Sequence, residues 1–213
     1  MGLMVGRIVR SSTTRFAVGC ETLQSEVPAF GCLVKVRALD HEVYGLIYDV
    51  RVEDDPYVRQ LAVVPDSRPE VIEDQRRNRQ VPIEVAVLVI GYRHKGQIHH
   101  RLPPQPPISL DVILTCDGDE LVEFTQHLDY FRLVLDNRDL PADELLAANL
   151  RRAAQARDPN LRPGGPGYGF LLDAGRVLAR LPAADPPRLV GLSRRLRPWR
   201  PPPPRLGMQG IEP

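Results

Sequence analysis

Leu102-Pro103-Pro104-Gln105-Pro106-Pro107 restricts what this chain can build more than any other stretch. Four of its six residues carry no amide proton, so it can neither continue a sheet ladder nor sit inside a helix. It lies within Val81–Cys116, which opens with the apolar run Ile83–Ile90 and a turn signal at Lys95-Gly96. Residues before it read as β structure, and nearly everything after Asp117 reads as helix. The stretch is therefore read as the seam of the molecule.

The β half is a series of short runs. Val5–Arg10 and Arg15–Cys20 alternate apolar and polar residues at period two, and Phe30–Arg37 and Val43–Val50 are the third and fourth strand candidates, with turn residues at Ser11–Thr14 and Asp40-His41. Ile83–Ile90 reads as a well-buried fifth strand, and Gln97–His100 as a sixth across the Lys95-Gly96 turn. Gly6, Gly19, Gly31 and Gly45 fall in or beside these strands, where a tightly curved barrel needs bends or close backbone approach. Close spacing of short strands favours a barrel over an open sheet. Between Glu53 and Gln80 the alternation lapses, and Ser67–Arg77 reads as a short surface helix with acids early and arginines late.

In the second half Asp119 is the expected N-cap of a helix in which Leu121, Phe124, Leu128, Phe131 and Leu135 recur at spacings of three and four. Leu140 to about Ala156, about Phe170–Leu181 and about Pro187–Leu196 are three further helices, with Gly164–Gly169 as a break. The expected class is α+β. A small closed six-stranded β-barrel over residues 1–116 carries a helical insert at about 53–80. An α-helical bundle follows over 117–197, and a Pro-rich tail at 198–213 is read as polyproline II or disordered.

Charge divides along the same seam. Residues 1–150 hold 16 Lys/Arg and 23 Asp/Glu, and residues 151–213 hold 12 Arg and 4 acids, so −7 faces +8. An acidic body with a basic end can bind anionic partners or dock on itself. Cys20, Cys32 and Cys116 have no C-x-x-C spacing, which fits three reduced thiols better than a disulfide framework or a zinc knuckle. No run approaches the ~18 apolar residues of a membrane span, and no signal core opens the chain, so a soluble cytoplasmic protein is expected.

Val5-Gly6-Arg7-Ile8-Val9, Phe30-Gly31-Cys32-Leu33-Val34-Lys35-Val36, Tyr44-Gly45-Leu46-Ile47-Tyr48 and Leu102–Pro107 together resemble the HAS-barrel family. That barrel is shared by HerA-type DNA translocases and the N-terminal domains of F-type ATP synthase ring subunits. Glu123–Arg132 looks like the helical part of small stand-alone bacterial members without an ATPase domain. The resemblance covers roughly residues 4–196. It implies a barrel that assembles or docks an ATPase ring and recruits accessory subunits. These 213 residues contain no G-x-x-x-x-G-K-[ST] phosphate loop after the barrel, so docking rather than catalysis is the implied activity.

The chemistry-bearing residues fit that expectation. His94, His99 and His100 cluster at a turn, with His41 near another barrel edge, but successive strand residues such as His99 and His100 point to opposite faces. Surface polar positions are the default reading, and metal binding stays open. Gly164–Gly169 lacks a preceding strand and a Lys-Ser/Thr end, and reads as an interhelical connection. Asp119, Glu120, Glu123, His127 and Asp129 read as a solvated helix face, and Phe124, Tyr130, Phe131 and Phe170 as packing. No cofactor, catalytic residue or metal is expected. Arg76, Arg77, Arg194, Arg195, Arg197, Trp199 and Arg200 are the candidate partner-binding residues. The first expectation is a non-enzymatic adaptor contacting a protein, an ATPase ring subunit above all. The alternative is a nucleic-acid-binding protein in which the Arg-rich end neutralises phosphates and Trp199 stacks a base; a separate reading of the same end has the Pro run dock in an aromatic groove on a protein partner.

Overall fold

In the computed structural model, residues 2–20, 29–52, 83–181 and 186–196 are described. The alternating runs form β1 (Met4–Ser11), β2 (Arg15–Cys20), β3 (Leu33–Ala38), β4 (His41–Val52), β5 (Ile83–His94), β6 (Gln97–His99) and β7 (Val112–Thr115). Neighbours run in the order β2-β1-β7-β3-β4-β5, and β5 pairs back onto β2, so these six strands close into an antiparallel barrel. Closure is carried by a full ladder from Arg15↔Leu88 to Cys20↔Ile83. Register shifts in β1 between Ile8 and Arg10 and along β4–β5 at Tyr44/Gly45 and Ile47/Asp49 supply the bends a small barrel requires.

The sixth strand of the barrel differs from the expected one. Gln97–His99 pairs only with β5 as a hairpin extension, while Val112–Thr115 inserts between β1 and β3. The Pro-rich segment is accordingly not the exit from the barrel. It carries the chain across one barrel end and back into the sheet. Pro103 and Pro107 are buried in it, Ser11 Oγ donates to the Pro107 carbonyl at 2.7 Å, and His41 Nε2 lies 3.3 Å from the Gln105 carbonyl. Ile8 N of β1 then donates to the Asp111 carbonyl at 3.0 Å and Leu110 N to the Ile8 carbonyl at 2.9 Å, which leads the chain into β7. The chain leaves the barrel after Thr115.

Inward side chains fill the barrel with aliphatics, including Ile8, Val18, Val34, Val36, Val43, Ile47, Val85, Val87, Val89 and Ile113. A second core lies on the outside. Leu33, Tyr44, Leu46, Leu88 and Ile90 project from β3–β5 into the helices. Both faces of β4 and β5 are thus buried, which is why their sequences are apolar with little alternation. Gly45 faces a crowded interior, where a Cβ would meet Val87 Cγ1 at 2.4 Å and the Leu88 carbonyl at 2.8 Å.

The helical region comprises α1 (Gly118–Phe124), α2 (Phe131–Leu135), α3 (Ala142–Arg157), α4 (Pro166–Leu178) and α5 (Pro186–Leu196). The cap of α1 is Asp117 rather than Asp119. Its carboxylate accepts from Glu120 N while Glu120 accepts from Asp117 N, a reciprocal capping box. The amphipathic run expected to be one helix to Leu135 is two. Thr125 Oγ1 bonds the Leu121 carbonyl at 2.6 Å, and Arg157 Nη2 donates to the carbonyls of Val122 and Thr125 at 3.1 and 3.4 Å. His100 takes the Phe124 carbonyl at 3.1 Å. These partners satisfy the α1 C-terminus, so the chain can turn and stack Phe124, Tyr130 and Phe131 against one another. α4 begins at Pro166, inside the glycine run expected to be a connection, with Pro at the first turn where its missing amide costs nothing.

One buried polar chain locks bundle to barrel. Tyr130 OH donates to Asn149 Oδ1 at 2.8 Å, and Asn149 Nδ2 donates to the Gly31 carbonyl at 3.3 Å. Gly31 holds φ +79°, and a Cβ there would lie 2.5 Å from Ala148 Cβ, so only glycine lets β3's approach lie this close to α3.

Candidate interaction surfaces

The basic end is placed by α5. Leu192 and Leu196 are buried, and Leu189 packs beside them, so the apolar face of this helix lies on the bundle and its arginines fall at the margin with α3. Arg188 Nε meets Asp143 Oδ1 at 2.7 Å, and Arg195 pairs with Glu144. Arg151 Nη1 donates to the Arg195 carbonyl at 3.0 Å. These groups border an open polar groove of about 850 Å³ that also takes in Asp136, Asn137 and Arg138. Of the two readings of the −7/+8 division, docking on itself is the one these pairs display. Arg194 is exposed in the last turn. Arg76, Arg77, Arg197, Trp199 and Arg200, with the expected helix Ser67–Arg77 and the tail, lie outside the described residues.

The histidines fall into two separate places, His41 and His94 at Asp40 and His99 and His100 beside aromatic rings. His94 Nδ1 lies 3.6 Å from Asp40 Oδ2, and His41 Nδ1 lies 3.0 Å from Asp40 Oδ1, at the tip of the β3–β4 turn. The Asp40 carboxyl is held below its ordinary range, chiefly by the hydrogen bond from His41. His99 stacks on Tyr92 with ring centroids 5.0 Å apart. His100 is wedged against Phe124 and Tyr130, at 4.7 and 5.4 Å between centroids. Burial pushes the His100 pKa down, only partly offset by its bond to the Phe124 carbonyl. His99 and His100 border a groove of about 570 Å³ with Glu123, His127 and Asp129. Among the described residues no three His, Cys, Asp or Glu side chains form a group that would hold a metal.

The α1 carboxylates act as ties between helix and barrel. Glu120 pairs with Lys35 of β3. Partial burial works against the Lys35 ammonium, but Glu120 and Glu42 outweigh it and its pKa sits above the ordinary lysine value. Glu123 Oε2 holds Arg93 Nη2 of β5 at 2.5 Å. Cys20, Cys32 and Cys116 are free thiols, each raised above its ordinary pKa by burial, which keeps them protonated and poorly nucleophilic.

Three leucines escape any sequence pattern: Leu39, Leu110 and Leu161 stand at φ 38°, 72° and 45°, and the first two are 69% and 68% exposed. A leucine in the left-handed region leaves no mark in hydropathy or period, because backbone sign is not written in composition. No helix among the described residues is long and apolar enough to cross a membrane. A scan against protein-family models finds no match to this chain, and neither does a search of curated proteins.

Proposed function

We propose that this chain is a non-catalytic barrel adaptor of the HAS-barrel type that docks on an ATPase ring, of the HerA-like or ATP-synthase-like kind, in the cytoplasm. The observation that carries the reading is the filled barrel. Its interior is packed with Ile8, Val18, Val36, Ile47, Val87 and Ile113, so the barrel has no lumen in which to hold a ligand and offers a partner its outside. The grooves on that outside are open, and of the carboxylates that line them Asp143, Glu144 and Glu123 are engaged in ties between elements. A docking module needs no more than a rigid, closed scaffold with accessible loops. The resemblance of the strand series, together with a chain that runs from Thr115 into helices without a phosphate loop, points to an ATPase ring as the partner class.

The test is purification of the tagged full chain from its native host under mild conditions, with crosslinking and mass spectrometry of what accompanies it. An ATPase ring subunit crosslinked to the barrel is the expected result. Its absence after crosslinking removes the proposal. The nucleic-acid reading draws less support, because Arg188 and Arg195 are already neutralised by Asp143 and Glu144.

A further inference from the structure

Leu102–Pro107, the strap that carries the chain from β6 across the barrel end to β7, has little with which to hold itself down. Four of its six residues have no amide proton, so it is tied chiefly through its carbonyls and through the buried rings of Pro103 and Pro107. Among the described residues two side chains reach those carbonyls. Ser11 Oγ donates to Pro107 O at 2.7 Å, and His41 Nε2 lies 3.3 Å from Gln105 O. Serine does not titrate near neutral pH, whereas histidine does.

His41 is buried, at 5% exposed, and both of its ring nitrogens face acceptors. Nδ1 lies 3.0 Å from Asp40 Oδ1, and Nε2 faces a backbone carbonyl, which can only accept. A neutral imidazole carries one N–H, so either tautomer turns a ring lone pair toward an oxygen lone pair. The imidazolium donates to both. Asp40 does not supply the missing proton, because its carboxyl is held below the ordinary range, chiefly by the bond to His41. The other neighbours add no second anion. From β5, His94 Nδ1 lies 3.6 Å from Asp40 Oδ2, and the Tyr92 ring stands edge-on to His41 at 5.9 Å between centroids. His99 and Arg101 contact the Tyr92 ring, and the strap itself carries no ionisable side chain.

We propose that His41 is a proton-operated latch on the Pro-rich strap. As the imidazolium it links Asp40 to Gln105 and holds the middle of the strap across the barrel end. On losing a proton to solvent it keeps one bond of the two. The charged acceptor holds the remaining N–H more strongly than a neutral carbonyl does, so the bond to Gln105 is the one released. Closing the latch therefore takes up a proton. Closure is fullest below the histidine range and weakens as pH rises through it, by at most about tenfold per pH unit in the closed-to-open ratio for the single proton involved.

Nuclear magnetic resonance on the full chain, titrated from about pH 5.5 to about pH 8.5, tests the latch. Long-range proton–nitrogen spectra read the two ring nitrogens of His41. Carbon-detected carbonyl–nitrogen spectra read the Gln105 carbonyl through Pro106 N, where no amide proton is needed. Both His41 nitrogens are expected to be protonated at the low end. As pH rises the Gln105 carbonyl resonance is expected to shift with the same midpoint as the His41 ring, while its order parameter falls from about 0.85 toward about 0.6. His41→Gln places a donor that does not titrate near the Nε2 position, and is expected to abolish the Gln105 response. Should this buried substitution impair folding, Asp40→Asn at the exposed neighbour serves as the second variant; it removes the charge that favours the imidazolium and is expected to move both transitions to lower pH. A His41 ring with one N–H at the low end overturns the proposal, as does a Gln105 carbonyl that does not follow the ring. So does a response that persists in His41→Gln, keeps its midpoint in Asp40→Asn, or disappears in His94→Gln.

Discussion

Asn149 and His100 show how single polar residues set the join between bundle and barrel. Asn149 is buried between Tyr130 OH and the Gly31 carbonyl, and removing its amide strands a donor on one side and an acceptor on the other. Asn149→Leu is expected to cost about 3 kcal/mol, read as a lower urea midpoint at constant slope, because two buried groups lose their partners at ~1–3 kcal/mol each. A loss under 1 kcal/mol would mean that water enters the join. His100 gives a pH signature. Its folded pKa lies below the ordinary 6.5, so between the two values the unfolded chain binds the proton and the folded chain does not. Its contribution is complete above pH 6.5 and is lost as pH falls through the folded value. Denaturation at pH 7.5 and 5.5 is expected to show a smaller acid loss in His100→Gln than in the wild type; equal losses in both would remove His100 as the cause.

Element boundaries turn on residues that look interchangeable in sequence. Asp117 and Asp119 both precede an apolar run, yet only Asp117 accepts the Glu120 amide. Asp117→Ala is expected to destabilise by about 1 kcal/mol and Asp119→Ala by less than ~0.5, so their thermal midpoints separate by a few degrees. Equal midpoints would show that the cap does not hold the helix end. The break between α1 and α2 has the same character. Leu121, Phe124, Leu128, Phe131 and Leu135 keep helical spacing throughout, so periodicity reads one helix. The turn is made by Arg157, thirty-two residues beyond Thr125, and by His100 before it. No local window contains those donors. Helices α3 and α5 were legible nearly to the residue, because their apolar faces pack along their whole length on the shared core.

At the scale of the molecule, barrel and bundle share a hydrophobic cluster that runs from Leu33, Tyr44, Leu46, Leu88 and Ile90 into Leu145, Leu146 and Leu150. The two parts are therefore expected to unfold together. Leu46→Ala, at a fully buried position, should cost about 3 kcal/mol and lower hydrogen-exchange protection in α3 as much as in β4. Loss confined to β4 would show two independent units. Charge follows the same logic. The basic end looks free in a charge count, but Arg188 and Arg195 close onto α3 and so belong to the bundle.

What the sequence alone determined is the order of the two halves and the places of the first five barrel strands, because each of those segments carries its own apolar pattern long enough to read. The tertiary structure decided which segment became the sixth strand. Val112–Thr115 has four residues, too few to carry a period, and its neighbours β1 and β3 lie roughly a hundred and eighty residues apart from it in sum. Leu102–Pro107, unable to pair, reads locally as an ending; only the gap between β1 and β3, which no local sequence records, makes it the bridge that brings the chain back. Strand pairing and ion pairing are settled between distant residues.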